Sequence, residues 1–86
     1  MTPEQCRAAR GWLAWSQTDL AKAAHVGLST VKDFESGKRT PIPSTQTAMR
    51  AVLEREGIGF AVSLGDDGMK KACGITYSAP EKGTEY

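Results

Sequence analysis

The sequence predicts a mainly α fold in which four short helices are followed by a C-terminal β-hairpin. Helix-start signals and apolar residues at helical spacing recur through residues 1–57. From Ile58 the apolar period changes to two, and Gly65–Gly68 then predicts a turn before the returning strand, Ala72–Tyr77. A chain of 86 residues has room for one small core.

The first helix is predicted to begin after Thr2 and to end near Leu13. Thr2 has the chemistry of an N-cap, Pro3 suits the first helical position, and Gln5 completes a capping box. The inward-facing residues would be Cys6, Ala9 and Leu13. Cys6 is therefore interpreted as a buried free thiol.

Two further helices are predicted to meet at a tight corner that contains Gly27. Ser16 is expected to cap the first of them, with Asp19 as its capping-box partner. Val31 and Phe34 give the second helix an apolar stripe. Two helices joined by a short turn that contains glycine form a helix-turn-helix motif.

A rigid loop and a fourth helix are expected next. Pro41 and Pro43 restrict the loop, and Ser44 is expected to cap a helix that ends at Gly57. Ile42 is expected to close the bottom of the core. The apolar stripe of this helix would be Ala48, Met49, Val52 and Leu53.

These elements suggest three segments. Residues 1–57 would form the helix-turn-helix domain, 58–77 the hairpin, and 78–86 a disordered tail. A lone two-stranded hairpin is marginal in water, so it must pack on the helices or pair with another chain. We therefore expect it to serve as the dimerisation element.

The residues from Ser16 to Pro41 carry a family resemblance. Their pattern, S-Q-x-x-L-A-x-x-A-x-V-x-x-x-T-V-x-x-F-E-x-G-x-R-x-P, resembles the helix-turn-helix family of phage repressors and Cro, also called the xenobiotic-response-element (XRE) family. The match runs from about Arg7 to about Gly59. It implies a four-helix repressor-like domain that regulates transcription. A repressor of this kind acts as a homodimer on a palindromic operator in double-stranded DNA, with a recognition helix in each major groove.

The resemblance also implies which residues touch DNA and which hold the domain together. The expected base contacts are Gln17, Leu28, Ser29, Thr30, Lys32 and Asp33. The expected phosphate contacts are Ser16, Ser36, Lys38, Arg39 and Thr40. The resemblance further implies that Arg10 and Glu35 form a structural ion pair.

Some of these residues have a plainer interpretation. Leu28 suits a thymine methyl and Asp33 suits cytosine N4, but Leu28 could instead pack the turn and Asp33 could be a solvated charge. Lys32 could reach a guanine or only a phosphate. Trp12 covers either the core edge or an interface, and the sequence does not decide between them.

The charge distribution favours DNA at the helix-turn-helix. Residues 1–50 carry seven basic and four acidic side chains, whereas residues 51–86 carry four basic and six acidic ones. The net charge of +1 leaves a second hypothesis open. A protein-binding module on the same fold, such as an antitoxin or an anti-activator, would use the acidic C-terminal third to bind a protein partner.

Enzymatic and membrane functions are not expected. The sequence has no nucleophile–base pair and no metal-ligand spacing, so we predict no catalytic residue, metal or cofactor. His25, the single histidine, is interpreted as a turn residue. No apolar run reaches the ~20 residues of a membrane helix, and the N-terminus does not resemble a signal peptide, so a cytoplasmic protein is expected.

Overall fold

A computed structural model describes residues 1–64, 68 and 70–79. It contains four helices followed by a two-stranded antiparallel sheet, which confirms the predicted fold class. Among the described helices, none is long and apolar enough to cross a membrane. The elements are α1 (Pro3–Leu13), α2 (Gln17–Ala24), α3 (Leu28–Glu35), α4 (Pro43–Arg55), β1 (Ile58–Leu64) and β2 (Lys70–Tyr77).

Reciprocal capping boxes fix the starts of α1 and α2. The Gln5 backbone N–H donates to Thr2 Oγ1 at 3.1 Å, and the Thr2 N–H donates to Gln5 Oε1 at 3.0 Å. Ser16 and Asp19 exchange the same pair of hydrogen bonds at 3.0 and 2.9 Å. Both predicted capping boxes are therefore present, and each satisfies donors that a helix start leaves free.

The corner of the helix-turn-helix depends on one left-handed residue. α2 ends at Ala24, and its C-cap residue His25 turns the chain with a φ of 58°; Gly27 is the N-cap of α3. α3 ends at Glu35, and two residues later Gly37 has a φ of +77°. The Lys38 N–H donates to the Asp33 carbonyl at 2.9 Å. This Schellman-type end stops α3 and directs the following loop back along it.

The core lies where the four helices and the first strand meet. Every helix contributes to it, and the predicted stripes of α1 and α4 face inward, although Leu13 and Ala48 are only partly buried. The buried apolar residues are Cys6, Ala9, Leu20, Ala21, Ala24, Val31, Phe34, Met49, Val52, Leu53 and Ile58.

The start of α4 differs from the prediction. Ile42, rather than Ser44, is the N-cap, and the Ile42 side chain forms no capping hydrogen bond. The reason is Pro43, which suits the first helical position and forces Ile42 into an extended backbone conformation. Ile42 is also 66% exposed, so the expectation that it closes the core is wrong. Leaving this N-cap without a polar side chain costs about 1 kcal/mol.

The hairpin contains a bulge. Ile58 pairs with Tyr77 and Ala61 pairs with Gly74, but Val62 pairs with Ala72, which leaves Cys73 as the extra residue. β2 begins two residues before the predicted Ala72. Of the predicted turn, residues 65–67 lie outside the described part of the chain, as do residues 80–86 of the predicted tail.

The helices hold the base of the hairpin. Ile58 is part of the core, and Phe60 and Ile75 pack against it. At the bulge, Gln5 Nε2 donates to the carbonyls of Ala61 at 2.9 Å and Gly74 at 2.8 Å, one on each strand. The Gln5 amide thus supplies hydrogen bonds where the bulge interrupts the strand pairing.

Candidate nucleic-acid interface

Helix α3 has one buried face and one open face. Val31 and Phe34 are buried in the core, whereas Leu28, Ser29 and Lys32 are exposed. The two other predicted base contacts on α3, Thr30 and Asp33, are half-buried. An eight-residue helix anchored by one apolar face presents the other as a row of polar groups, which suits a recognition helix in a major groove.

A groove of about 320 Å³ separates α3 from the loop that leads into α4. It brings Ser29, Thr30 and Asp33, predicted to read bases, next to Arg39 and Thr40, predicted to hold phosphates. The far wall also contains Pro41, Ile42 and Thr45, none of which the sequence predicted as a DNA contact. Three predicted base contacts and two predicted phosphate contacts therefore share one concave surface.

The Glu35 carboxylate, at the end of α3, is the centre of a buried polar cluster. Arg10 Nε and Nη2 each lie 2.6 Å from one of its oxygens, so the ion pair that the resemblance implies is two-pronged. The Glu35 side chain is 2% exposed and that of Arg10 17%. This geometry ties α1 to the end of α3.

Three further donors complete the cluster around Glu35. Gln17 Nε2 donates to Oε1 at 3.1 Å, and Cys6 Sγ donates to Oε2 at 3.2 Å. Arg7 donates to the Glu35 backbone carbonyl. Sequence reasoning missed the roles of Cys6 and Arg7, because the apolar stripe of α1 indicated only that Cys6 is buried, and nothing in the local pattern indicates a thiol donor.

The cluster stays ionised around Glu35. Burial raises the pKa of this carboxyl, but the hydrogen bonds from Arg10, Gln17 and Cys6 outweigh burial and hold the pKa below its ordinary value. The hydrogen bond to Glu35 raises the pKa of Arg10. Burial, followed by the hydrogen bond to Glu35, raises the pKa of the Cys6 thiol, so Cys6 remains a protonated donor.

Other predicted contacts lie at the start of α2 or shortly after the end of α3. Gln17, expected to contact a base, braces α3 through Glu35, so this amide donor is engaged inside the protein. Ser16 Oγ accepts the capping hydrogen bond, and Ser36 Oγ donates to the Asp33 carbonyl at 3.2 Å. Lys38, Arg39 and Thr40 are exposed.

Comparison with known proteins bears on the helical part of the chain. Residues 7–51 match the family model described as helix-turn-helix. The match begins within α1, includes α2 and α3, and ends within α4, so it leaves out the hairpin. A search of curated proteins found no match to the chain.

Proposed function

We propose, from the premise that this chain belongs to the XRE/Cro-type helix-turn-helix family, that it is a repressor that binds a palindromic operator as a dimer. The domain family is one of DNA-binding regulators. The observation that carries the proposal is the open polar face of α3 beside the basic loop, with the opposite face fixed in the core. Binding of this surface at an operator would block access of polymerase to the promoter.

Base reading is assigned to the open face of α3. Ser29 and Thr30 hydroxyls donate to or accept from several bases, and Lys32 donates to a guanine or a phosphate. Leu28 contacts a thymine methyl, and Asp33 accepts from cytosine N4. The set lacks the arginine or glutamine that makes the strongest two-pronged base contacts, so DNA shape contributes to its specificity.

Phosphate binding is assigned to the helix ends beside that face. Three residues that follow α3 are assigned to the phosphates of the DNA strand that passes the C-terminal end of this helix: Lys38, Arg39 and Thr40. Gln17 begins α2, where backbone N–H groups and the positive end of the helix dipole favour an anion. Because its side chain braces Glu35, we assign Gln17 a positioning role, with the phosphate bound by its backbone N–H.

The test is selection of bound fragments from a pool of random DNA. Recovery of a palindrome with half-sites about 10 bp apart supports the proposal, because a two-fold dimer places its recognition helices one helical turn apart. Failure to enrich any sequence, even at low salt, contradicts it and favours the protein-binding alternative. Two features favour this alternative: Asp33 places a carboxylate on the open face of α3, and the net charge of the chain is only +1.

Arg39→Ala is expected to weaken binding by a similar factor on every DNA sequence. Arg39 lies on the loop wall of the groove, and loss of one phosphate contact lowers the slope of log K against log salt by about one. Fluorescence anisotropy from 50 to 300 mM salt measures both quantities. Arg55→Ala, which removes the same charge from the last turn of α4, is the control and should leave the slope unchanged. A changed base preference with an unchanged slope would overturn the assignment.

Dimerisation is assigned to the hairpin, as the proposed division into residues 1–57 and 58–77 implies. Val62 and Leu64 are 57% and 70% exposed, and they continue the strand face on which Ile58 and Phe60 contact the core. A second copy that covered this face would bury the apolar surface that the helices leave open. The edges of a two-stranded sheet are also open to pairing.

Leu64→Lys is therefore expected to raise the dimer dissociation constant about tenfold or more, because the charge would enter an apolar contact. Sedimentation velocity across a concentration series measures this constant. Ser63→Lys places the same charge on the opposite face of β1 and is the matched control. Equal dimerisation of both variants would exclude this face as the interface.

A further inference from the structure

Ile42 breaks two local rules of stability at one position. Its side chain is 66% exposed, and it occupies the N-cap of α4, where serine, threonine, asparagine or aspartate would supply a hydrogen bond. Most of this side chain therefore buries no apolar surface in the isolated chain, and it forms no capping hydrogen bond. Departures of this kind are expected where a residue is kept for binding rather than for folding.

The position of Ile42 indicates what it binds. It lines the same groove as Ser29 and Thr30 on α3, and it follows Arg39 and Thr40 along the opposite wall. With α3 in a major groove, the strand that borders that groove lies between α3 and this wall. Arginine and threonine bind phosphate oxygens, whereas the sugars of the same strand present C–H surfaces.

We propose that Ile42 packs against the deoxyribose of the DNA strand whose phosphates Arg39 and Thr40 hold. This inference rests on the proposed function and adds to it a contact of a different physical kind. Burial of an apolar side chain releases no counterions, so its share of the affinity does not depend on salt. A sugar face is also common to every nucleotide, so this share is the same on all sequences.

The experiment compares Ile42→Ser and Ile42→Val on the duplex recovered by selection and on a scrambled duplex of equal length. Ile42→Ser is expected to weaken binding to both duplexes by a similar factor, about five- to tenfold, with an unchanged salt slope. Ile42→Val keeps most of the apolar surface and should bind within about twofold of the wild type. Arg39→Ala, which is expected to lower the slope of log K against log salt by about one, is the positive control for the salt measurement.

Thermal unfolding separates this effect from a loss of structure. Serine is a preferred N-cap, so Ile42→Ser is expected to raise Tm by about 4–8 °C while it weakens binding. A more stable protein that binds less tightly supports the proposal, because misfolding then cannot explain the loss.

Three results would overturn the proposal. One is unchanged affinity of Ile42→Ser on both duplexes. Another is a loss confined to the selected duplex that disappears when its thymines are replaced by uracil, since Ile42 would then read a thymine methyl. A third is a raised dimer dissociation constant in sedimentation, which would place Ile42 in a protein contact.

The proposed function fails in a different way. If selection enriches no sequence but the wild type binds a mixed-sequence duplex at low salt, sequence-specific repression is contradicted, and the uniform effect of Ile42→Ser is still measured on that duplex. If the wild type binds neither duplex at any salt concentration, both the function and the contact are refuted.

Discussion

Glu35→Ala is expected to lower the free energy of unfolding by about 3–5 kcal/mol. The substitution leaves the Arg10 guanidinium, only 17% exposed, without its carboxylate. It also removes the acceptor of the Gln17 amide and of the Cys6 thiol. Groups left buried without partners cost more than the net contribution of the bonds they made, so the effect exceeds that of an ordinary hydrogen bond.

The chain provides its own control for this experiment. Glu54→Ala removes a carboxylate from the Arg50–Glu54 pair, whose two atoms are 2.9 Å apart but whose side chains are 46% and 47% exposed. Water solvates the Arg50 guanidinium after the change, and the expected cost is about 0.5 kcal/mol or less. Urea denaturation of both variants measures the difference. Similar losses for the two would show that burial of the Glu35 cluster contributes nothing.

The contribution of Glu35 should depend on pH in a defined direction. Its pKa is lowered in the folded protein, so the stabilisation is complete above the ordinary carboxyl pKa of about 4.3. It is lost as pH falls through the lower pKa of the folded state. The unfolding free energies of the wild type and of Glu35→Ala are therefore expected to converge in acid, and a constant gap from pH 7 to pH 2 would contradict this account.

The same cluster connects stability with the proposed reading surface. Glu35 is the last residue of α3, and Arg10 and Gln17 hold it from α1 and α2. Loss of the carboxylate therefore removes the side-chain bonds that orient the end of α3 against α1 and α2, while the bond from Arg7 to the backbone carbonyl remains. Reduced DNA affinity of Glu35→Ala is expected to accompany its reduced stability, even though the carboxylate itself is buried away from the groove.

Local signals in the sequence predicted the secondary structure well. Thr2, Ser16 and Gly37 fix helix ends through bonds to residues at most five positions away, so their effect is readable from neighbouring letters. Ile58–Leu64 has the span that its alternation predicts. The prediction that Ser44 caps α4 was wrong for a local reason too. The preference of Pro43 for the first helical position outweighs the capping preference of serine.

Contacts between distant residues were not predictable in this way. Cys6 meets Glu35 across 29 residues, and Gln5 meets Gly74 across 69. The capping-box pattern predicts the bond that the Gln5 side-chain oxygen Oε1 accepts, but it gives no information about the side-chain nitrogen Nε2. For the candidate site, the resemblance implied the reading face of α3 and the Arg10–Glu35 pair, whereas the place of Ile42 in the groove depends on how the loop folds back.

Gln5→Glu tests the long-range contact at the hairpin and is expected to lower the free energy of unfolding by about 2–4 kcal/mol at neutral pH. Glutamate is itself a capping-box residue, so the hydrogen bond with the Thr2 N–H is kept. The amide donor to the Ala61 and Gly74 carbonyls is lost, and a carboxylate takes its place against two oxygens. The variant therefore keeps the helix cap and loses the hydrogen bonds from residue 5 to the hairpin, while the apolar contacts of Ile58, Phe60 and Ile75 remain.

Thr2→Ala is the complementary control for this prediction. It removes the side-chain acceptor of the capping box but leaves the Gln5 amide free to bind both strands, so a loss of only about 1 kcal/mol is expected. Hydrogen exchange of the β1 amides distinguishes the two variants. Protection of the hairpin should fall in Gln5→Glu and persist in Thr2→Ala.

The pH dependence of Gln5→Glu provides the sharpest test. Burial beside two carbonyl oxygens raises the pKa of the introduced carboxyl above its ordinary value. Above that raised pKa the folded state carries an unfavourable charge; below it the protonated carboxyl donates to one of the two carbonyls. The deficit relative to the wild type should therefore shrink between pH 8 and pH 5, whereas the deficit of Glu35→Ala shrinks only in stronger acid, below the ordinary carboxyl pKa. A deficit that stays constant over this range would show that water reaches the bulge and that the Gln5 amide does not hold the hairpin on the helices.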